Sequence, residues 1–454
     1  MIYDLVKSVN SFMWDFALLF LLVGTGMWFT FRLKFVQLRY LGKALKITFG
    51  NFSLKGDKAG ADGMSSFQAV TTAIAAQVGT GNLAGAATAI ATGGPGAIFW
   101  MWLSAFFGLA TNFTEASLAQ KYKVKGDDGA VTGGPVYYIR AAYKGKPGKI
   151  LSSAFAVFIV LALGFMGNMV QSNSIGDAFN NAFGINPLII GIIIAIISFF
   201  VFLGGVGRIA SITEKLVPVM AGFYLLGCAL IILLNIGNLI PSIISIFKGA
   251  FTSQAIFGGT VGTTVKLAIR YGVARGLFSN EAGMGSTPHS HALAKTYHPC
   301  EQGLAALVAV FIDTFVVLTM TALVIICTGV LDGSYASGIT LTQNAFNAGL
   351  GALGQPFIAI CMLFFAFSTI IGWYFFGEQN VRYLFGSKGV KPYAILVCVC
   401  IVLGCTMDVD FVWAMSDMFN GFMVVPNLLG LLAMTGVATK LLKEFEELNK
   451  KNGK

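Results

Sequence analysis

The sequence predicts an all-α polytopic membrane protein with eleven transmembrane helices. Three observations carry this reading. Of 454 residues, 56% are hydrophobic and 11% charged, against about 25% charged in a soluble domain. The apolar segments have the length of spanning helices, about 20 residues, rather than the ~10 of barrel strands. Two Gly-x-Gly interruptions, Gly79-Thr80-Gly81 and Gly283-Met284-Gly285, fall roughly two hundred residues apart within such segments. Glycine is a poor helix former, and bare backbone at membrane depth is tolerated only against protein or a wet cavity. Ser66 to Ala91 therefore reads as one helix in two halves, broken at Gln77-Val78-Gly79-Thr80-Gly81-Asn82, with Gly283-Met284-Gly285-Ser286 as its counterpart. Paired interruptions in the two halves of a membrane chain point to a transporter's binding site. The alternative is that the glycines only allow helices to pack closely.

The first span is expected from Met13 to Phe31. A basic loop follows, with Arg32, Lys34, Arg39, Lys43, Lys46, Lys55 and Lys58. Leu38, Leu41 and Leu45 interleave with these charges at helical spacing, as in a surface helix. The broken second span ends in the tight turn Gly93-Gly94-Pro95-Gly96. The third opens on Ile98-Phe99-Trp100-Met101-Trp102, an aromatic interface anchor, runs to Lys121 and carries Asn112 and Glu115. The fourth, Ile150 to Phe179, follows a second basic loop and holds Asn168, Gln171 and Asn173. Short turns separate the fifth (Pro187 to Leu203) and sixth (Leu216 to Asn235). Leu239 to Phe257 reads as too broken for a span and is expected along the outer face.

The seventh span begins near Val261 and includes the second break. It is the least hydrophobic, with Lys266, Arg270 and Arg275 in its early half and His289, His291, Lys295 and His298 beyond. Such an element must be shielded by other helices or by water. The eighth (Leu304 to Cys327) contains Asp313. Glycine-rich sequence without Lys or Arg, Gly329 to Gly351, leads to the ninth (Pro356 to Phe376), with Ser368 and Thr369. The tenth (Ala394 to Thr406) and eleventh (Phe411 to Thr439) are joined by an acidic turn, and the tail Lys440 to Lys454 is expected to be charged and solvated.

The net charge of +10 does not point to nucleic acid, because Lys and Arg crowd the short loops on the side of the C-terminus. The positive-inside rule then puts the C-terminus in the cytoplasm and, with eleven spans, the N-terminus outside. The seven cysteines lie mostly in apolar helices and read as small core residues rather than a disulfide framework. The N-terminus opens on a polar, partly acidic stretch, so no cleavable signal is expected. The partners expected are a small solute and the lipid bilayer; no nucleic acid and no obligatory protein partner is indicated.

At this point three stretches resemble a known family. Gly93 to Trp102, Val78-Gly79-Thr80-Gly81-Asn82 and Arg275 to Gly283 look like the signatures of the alanine/glycine:cation symporters of bacteria and archaea. The likeness extends over nearly the whole chain. It implies the five-plus-five inverted repeat of the leucine transporter with one extra N-terminal helix, and sodium-driven uptake of alanine or glycine across the plasma membrane. The chain would then divide into 1–62 (extra helix and basic cytoplasmic loop), 63–236 (first repeat), 237–440 (outer amphipathic segment and second repeat) and 441–454 (charged cytoplasmic tail).

A zwitterionic amino acid needs opposite partial charges close together, and a broken helix supplies both. Free N–H groups near Gly79, Thr80, Gly81 and Asn82 suit a carboxylate; free carbonyls before the break suit an ammonium or sodium. Carbonyls of Phe278 and Ser279 would take the ammonium, and Gly283 and Met284 would close a small side-chain pocket. Asn168 and Gln171, three residues apart, share a helix face and with Phe165 form a candidate third wall. Their alternative role is interhelical hydrogen bonding. Glu115 and Asp313 either bind ions or satisfy Arg270, Arg275 or unwound backbone. For sodium, a hard cation that prefers oxygen, Ser368, Thr369 and the carbonyls of Phe365, Ala75 and Val78 offer a neutral cage, and the fold that the chain resembles places a sodium at the matching positions. The alternative is that both hydroxyls bond back to their own helix.

Other function classes fit less well. His289, His291 and Cys300 lack the second ligand cluster of a zinc site. HExxH, GxSxG and Walker motifs are missing, which argues against an enzyme or an ATP-driven pump. A channel would need a ring or filter that two unlike halves do not offer. Coupling to protons instead of sodium stays open.

Overall fold

The computed structural model describes residues 2–50, 63–126, 129–252, 254–255, 262–263, 265–331 and 338–451. Lys55, Lys58 and Val261 lie outside these residues. The described chain is helical, apart from two two-residue hairpins. Six helical stretches are long and apolar enough to cross a membrane by length and composition, or eight if each of two sharply bent pairs is one span. Two apolar helices, Pro187–Phe202 and Ile236–Phe251, are shorter.

Helix α1 (Ile2–Phe12) runs through a π turn at Met13–Ala17 into α2 (Leu18–Arg32), so the first helix begins well before Met13. The surface helix read from the leucine spacing is present as α3 (Val36–Gly50), turned 80° from α2. The first broken element is α4 (Ser66–Gln77), a π segment Gly81–Gly85 and α5 (Ala86–Gly93). Then come α6 (Gly96–Lys121), α7 (Pro135–Ala142), α8 (Lys146–Ile159) and α9 (Asn168–Phe183), the last two joined by the wide turns Val160–Gly167. Next are α10 (Pro187–Phe202) and α11 (Gly205–Leu234). The stretch expected to be too broken for a span holds the 16-residue helix α12 (Ile236–Phe251), shorter than the spanning helices. Its one proline, Pro241, lies inside the helix, one turn past the start, and leaves the Gly237 carbonyl without its i+4 amide.

The second broken element is α13 (Val265–Asn280) and α14 (Pro288–Leu293). Helix α15 (Pro299–Val310) continues through Phe311–Leu318 into α16 (Thr319–Cys327). Part of the glycine-rich connection is helical, α17 (Gly338–Leu350), ahead of the 32-residue α18 (Gly354–Phe385). Helices α19 (Val390–Gly404) and α20 (Val409–Ala433) complete the hydrophobic set. The tail differs from expectation. It forms α21 (Thr435–Lys451), turned 60° from α20, with Leu441, Leu442 and Phe445 buried. Those three positions fall on one helical face. Arg39 of α3 pairs with Glu446 of α21 at 2.6 Å.

The broken elements lie at the centre. Helix α6 packs on α13, α15 and α2, while α18 packs on α9, α4 and α11. Outward faces of α10 and α11 expose Ile189, Ile193, Ile196, Phe200, Leu226 and Leu233. Such apolar faces suit lipid, where a water-facing surface would carry charge. All seven cysteines are free thiols.

Candidate functional site

Ser65 starts α4 with a capping box: its hydroxyl accepts the Gln68 N–H, and the Gln68 side chain accepts the Ser65 N–H. The helix stops because the amides that would extend it are taken elsewhere. Val78 N–H still reaches the carbonyl of Ile74 at 2.8 Å, but Val78 itself turns away at ψ 89°. Gly79 N–H then donates to Asn82 Oδ1 at 3.0 Å, and Thr80 N–H to Gln171 Oε1 at 3.2 Å. The carbonyls of Ala75 and Ala76 thus lose their i+4 amides. This is the free-carbonyl end that the interruption predicts.

The second break is held by side chains as well. Ala282 N–H donates to Asn280 Oδ1 at 3.1 Å. Gly283 N–H and Gly285 N–H each donate to one oxygen of Glu115 at 3.0 Å. Phe278 and Ser279 therefore lose their i+4 amides, which frees their carbonyls. Asn427 of α20 braces the arrangement, donating to Glu115 Oε1 at 2.6 Å and to the Gly283 carbonyl at 2.9 Å. Of the two roles open to Glu115 from sequence, the structure shows it satisfying unwound backbone. Arg275 pairs instead with Asp417 at 2.6 Å and lies over the Trp413 ring at 4.5 Å.

The glycines of the two motifs act differently. Gly283 and Gly285 take left-handed φ of 90° and 79°, a region open to glycine at little cost. Gly79 and Gly81 do not. A β-carbon on Gly81 would lie 2.8 Å from Ser279 Cα, and one on Gly79 would lie 2.3 Å from Thr369 Oγ1. Here glycine lets the first break touch both the second broken element and α18, so close packing and interruption are the same event.

Asp313 joins the two breaks. It accepts from Asn82 Nδ2 at 2.8 Å, from Ser279 Oγ at 3.0 Å and from Thr314 Oγ1 at 2.8 Å. Gln77 Nε2 adds a bond of 2.6 Å to the Asn280 carbonyl. Around this junction several buried polar atoms have no partner among the described residues: Thr80 Oγ1, Gln77 Oε1, Gln171 Nε2 and Asn168 Oδ1. Buried polar groups in proteins are nearly always bonded, so these atoms have hydrogen-bonding capacity left over.

Four oxygens meet on the other side of Gly79. Thr369 Oγ1 lies 3.0 Å from the Ala75 carbonyl and 3.1 Å from that of Phe365. Ser368 Oγ lies 3.2 Å and 2.8 Å from the same two. The hydroxyls do bond back to their own helix through Phe365, and they also face the freed carbonyl of α4. A neutral cluster of this kind has the chemistry of a hard-cation site.

The remaining predicted positions are less central. Asn168 Nδ2 bonds the Gly164 carbonyl of its own helix at 3.0 Å. Phe165 has its ring contact with Tyr393 at 5.7 Å. Met284 is fully buried, with its N–H on the Glu281 carbonyl. Phe278 lies between Trp373 at 5.6 Å and Trp413 at 4.7 Å. Sequence reasoning missed Trp373, Glu281, Asn427 and Tyr138, whose hydroxyl donates to Asn427 at 2.5 Å. Only Glu281 gave a signal, as a carboxylate beside the second Gly-x-Gly. His289 and His291 are engaged separately, with Ser286 and Asn380 and with Gln302.

The solved structure of MhsT in complex with L-phenylalanine superposes with a TM-score of 0.58 at 12% identity, over 84% of this chain and 99% of that one. This likeness places the chain in the fold of leucine-transporter-like proteins. The sodium/alanine symporter AgcS of Methanococcus maripaludis is 45% identical over 99% of both chains. The probable sodium/glutamine symporter GlnT of Bacillus subtilis is 41% identical, over 99% of this chain and 92% of that protein. The sequence model described as the sodium:alanine symporter family matches residues 1–454. The chain belongs to that family, and it is a multi-pass membrane amino-acid symporter, not an enzyme.

Proposed function

We propose that this protein carries small neutral amino acids, alanine or glycine, into the cell together with sodium by alternating access. The observation that carries the reading is the placement of Ser368 and Thr369 hydroxyls against the Ala75 carbonyl, at the end of α4 and beside Gly79. Sodium lies between the first break and α18, held by Ala75, Val78, Phe365, Ser368 and Thr369. The substrate carboxylate meets the amides of Gly79, Thr80, Gly81 and Asn82 by displacing the side-chain oxygens of Asn82 and Gln171, which hold the Gly79 and Thr80 amides in its absence, and Gln171 Nε2 turns to it. The ammonium meets the carbonyls of Phe278 and Ser279. Gly283, Met284, Phe165 and Asn168 bound the rest of the pocket.

The chain crosses the plasma membrane eleven times, N-terminus outside and C-terminus cytoplasmic, as an extra helix and loop (1–62) followed by two inverted five-helix repeats (63–236 and 237–440), with 441–454 in the cytoplasm. One sodium suffices energetically. A potential of 100 mV supplies about 2.3 kcal/mol per charge, and a tenfold sodium gradient about 1.4 kcal/mol. The sum sustains a substrate ratio on the order of several hundred.

The test is uptake of a panel of small amino acids, glutamine included, into proteoliposomes with sodium, lithium and proton gradients imposed separately. Accumulation of alanine or glycine with sodium alone is expected. Accumulation with a proton gradient alone would replace sodium as the coupling ion. Absence of accelerated counterflow of labelled alanine would turn the reading toward a channel.

A further inference from the structure

Glu281 opens the second break at φ 56°, a left-handed conformation that residues with side chains seldom adopt. It is fully buried. Three buried carboxylates surround the two breaks, and two are accounted for by the backbone and side chains of the breaks themselves. Glu115 holds the amides of Gly283 and Gly285, and Asp313 joins Asn82 to Ser279. Glu281 bonds within the second break and also reaches another helix. Its Oε2 accepts from the hydroxyl of Ser286. Its Oε1 accepts the indole N–H of Trp373 at 2.5 Å.

Trp373 stands one helical turn beyond Thr369 on α18. Its ring meets Phe278 edge-on, at 5.6 Å between centroids and 85° between planes. Gly167 makes room for it, since a β-carbon there would lie 2.5 Å from the indole. One carboxylate therefore ties the second break to the helix that carries Ser368 and Thr369, through the ring that backs Phe278.

We infer that Glu281 is a positioning residue that couples cation binding at Ser368 and Thr369 to the shape of the amino-acid pocket. It does so by fixing the Trp373 indole against Phe278. The inference rests on the cage and pocket proposed above. The bonding pattern assigns the role to hydrogen-bonding geometry rather than to charge. A glutamine at this position fulfils both contacts: its oxygen accepts from the indole, and its amide donates to the Ser286 hydroxyl, which accepts as readily as it donates. An alanine fulfils neither, and a phenylalanine at 373 leaves a buried carboxylate oxygen unpaired.

The experiment measures half-saturating alanine at low and at high sodium in proteoliposomes of the full-length protein, for wild type, E281Q, E281A and W373F. The readout is the ratio of the two half-saturation values. E281Q is expected to stay within about threefold of the wild-type ratio, and E281A and W373F to lose about tenfold, the scale of one hydrogen bond to a charged group. A wild-type ratio in E281A or W373F overturns the inference. So does an E281Q ratio as low as that of W373F, which would make the charge itself the functional feature. If E281A does not fold, E281Q and W373F still decide between these outcomes. A wild-type protein whose alanine affinity ignores sodium overturns the sodium reading itself, and that result appears in the wild-type arm alone.

Discussion

Gln171 and Thr80 meet across the first break: the side-chain oxygen of Gln171 accepts the backbone N–H of Thr80 at 3.2 Å. This bond takes the amide that would have closed on Ala76, so α9 helps to hold the helix open. It leaves Gln171 Nε2 buried and without a partner among the described residues. One end of the side chain shapes the break, and the other is available to a solute.

Gln171→Ala should therefore weaken alanine binding by about tenfold or more while costing little stability, since interhelical hydrogen bonds in membranes average about 0.6 kcal/mol. Binding and melting temperature are measured on the same purified variant. A large fall in melting temperature with unchanged affinity would assign Gln171 to packing.

Gly79→Ala should raise the sodium concentration needed for half-maximal uptake by about tenfold, equivalent to about 1.4 kcal/mol. The added methyl would lie 2.3 Å from Thr369 Oγ1 and 3.1 Å from Gln171 Oε1, so the hydroxyl must leave its place beside the Ala75 carbonyl. A sodium titration of alanine uptake in proteoliposomes gives the value, and an unshifted curve would show that this contact is not part of the cation site.

Thr369→Ala and Ser368→Ala each remove one oxygen of the four-oxygen cluster. Both should raise half-saturating sodium and spare expression, because the backbone of α18 keeps its own bonds. The two variants are compared in the same titration. If neither moves the midpoint, the proposed cage is wrong.

Phe445→Ala tests the C-terminal helix. Phe445 is 4% exposed, with Tyr40 and His298 as ring neighbours at 6.3 Å and 5.4 Å. Truncation should cost about 3 kcal/mol, the lower end for a buried phenylalanine, and should lower the melting temperature. Half-saturating sodium should stay at the wild-type value, since the ring neighbours of Phe445, Tyr40 and His298, belong to neither break. A normal melting temperature would mean that α21 is not stably docked.

The sequence by itself determined the membrane class, most helix positions and both interruptions. Hydropathy and helix length act locally, and a Gly-x-Gly inside an apolar stretch leaves few solutions at membrane depth. The C-terminal helix was not legible as docked, because its Lys and Glu content reads as solvated until α3 presents Arg39 to Glu446.

Only the tertiary structure decided how the breaks are held. Glu115, Asp313 and Glu281 are all carboxylates in apolar surroundings, and nothing local separates them. Their roles follow from which donors arrive from other helices: two glycine amides for Glu115, Asn82 and Ser279 for Asp313, and the Trp373 indole for Glu281. The glycines divide in the same way. Gly283 and Gly285 are needed for their backbone angles, Gly285 also for the approach of Phe155 and Asn427, whereas Gly79 and Gly81 are needed only because Thr369 and Ser279 press against them. A backbone angle and a neighbour's approach both forbid a side chain, and the sequence records only the glycine.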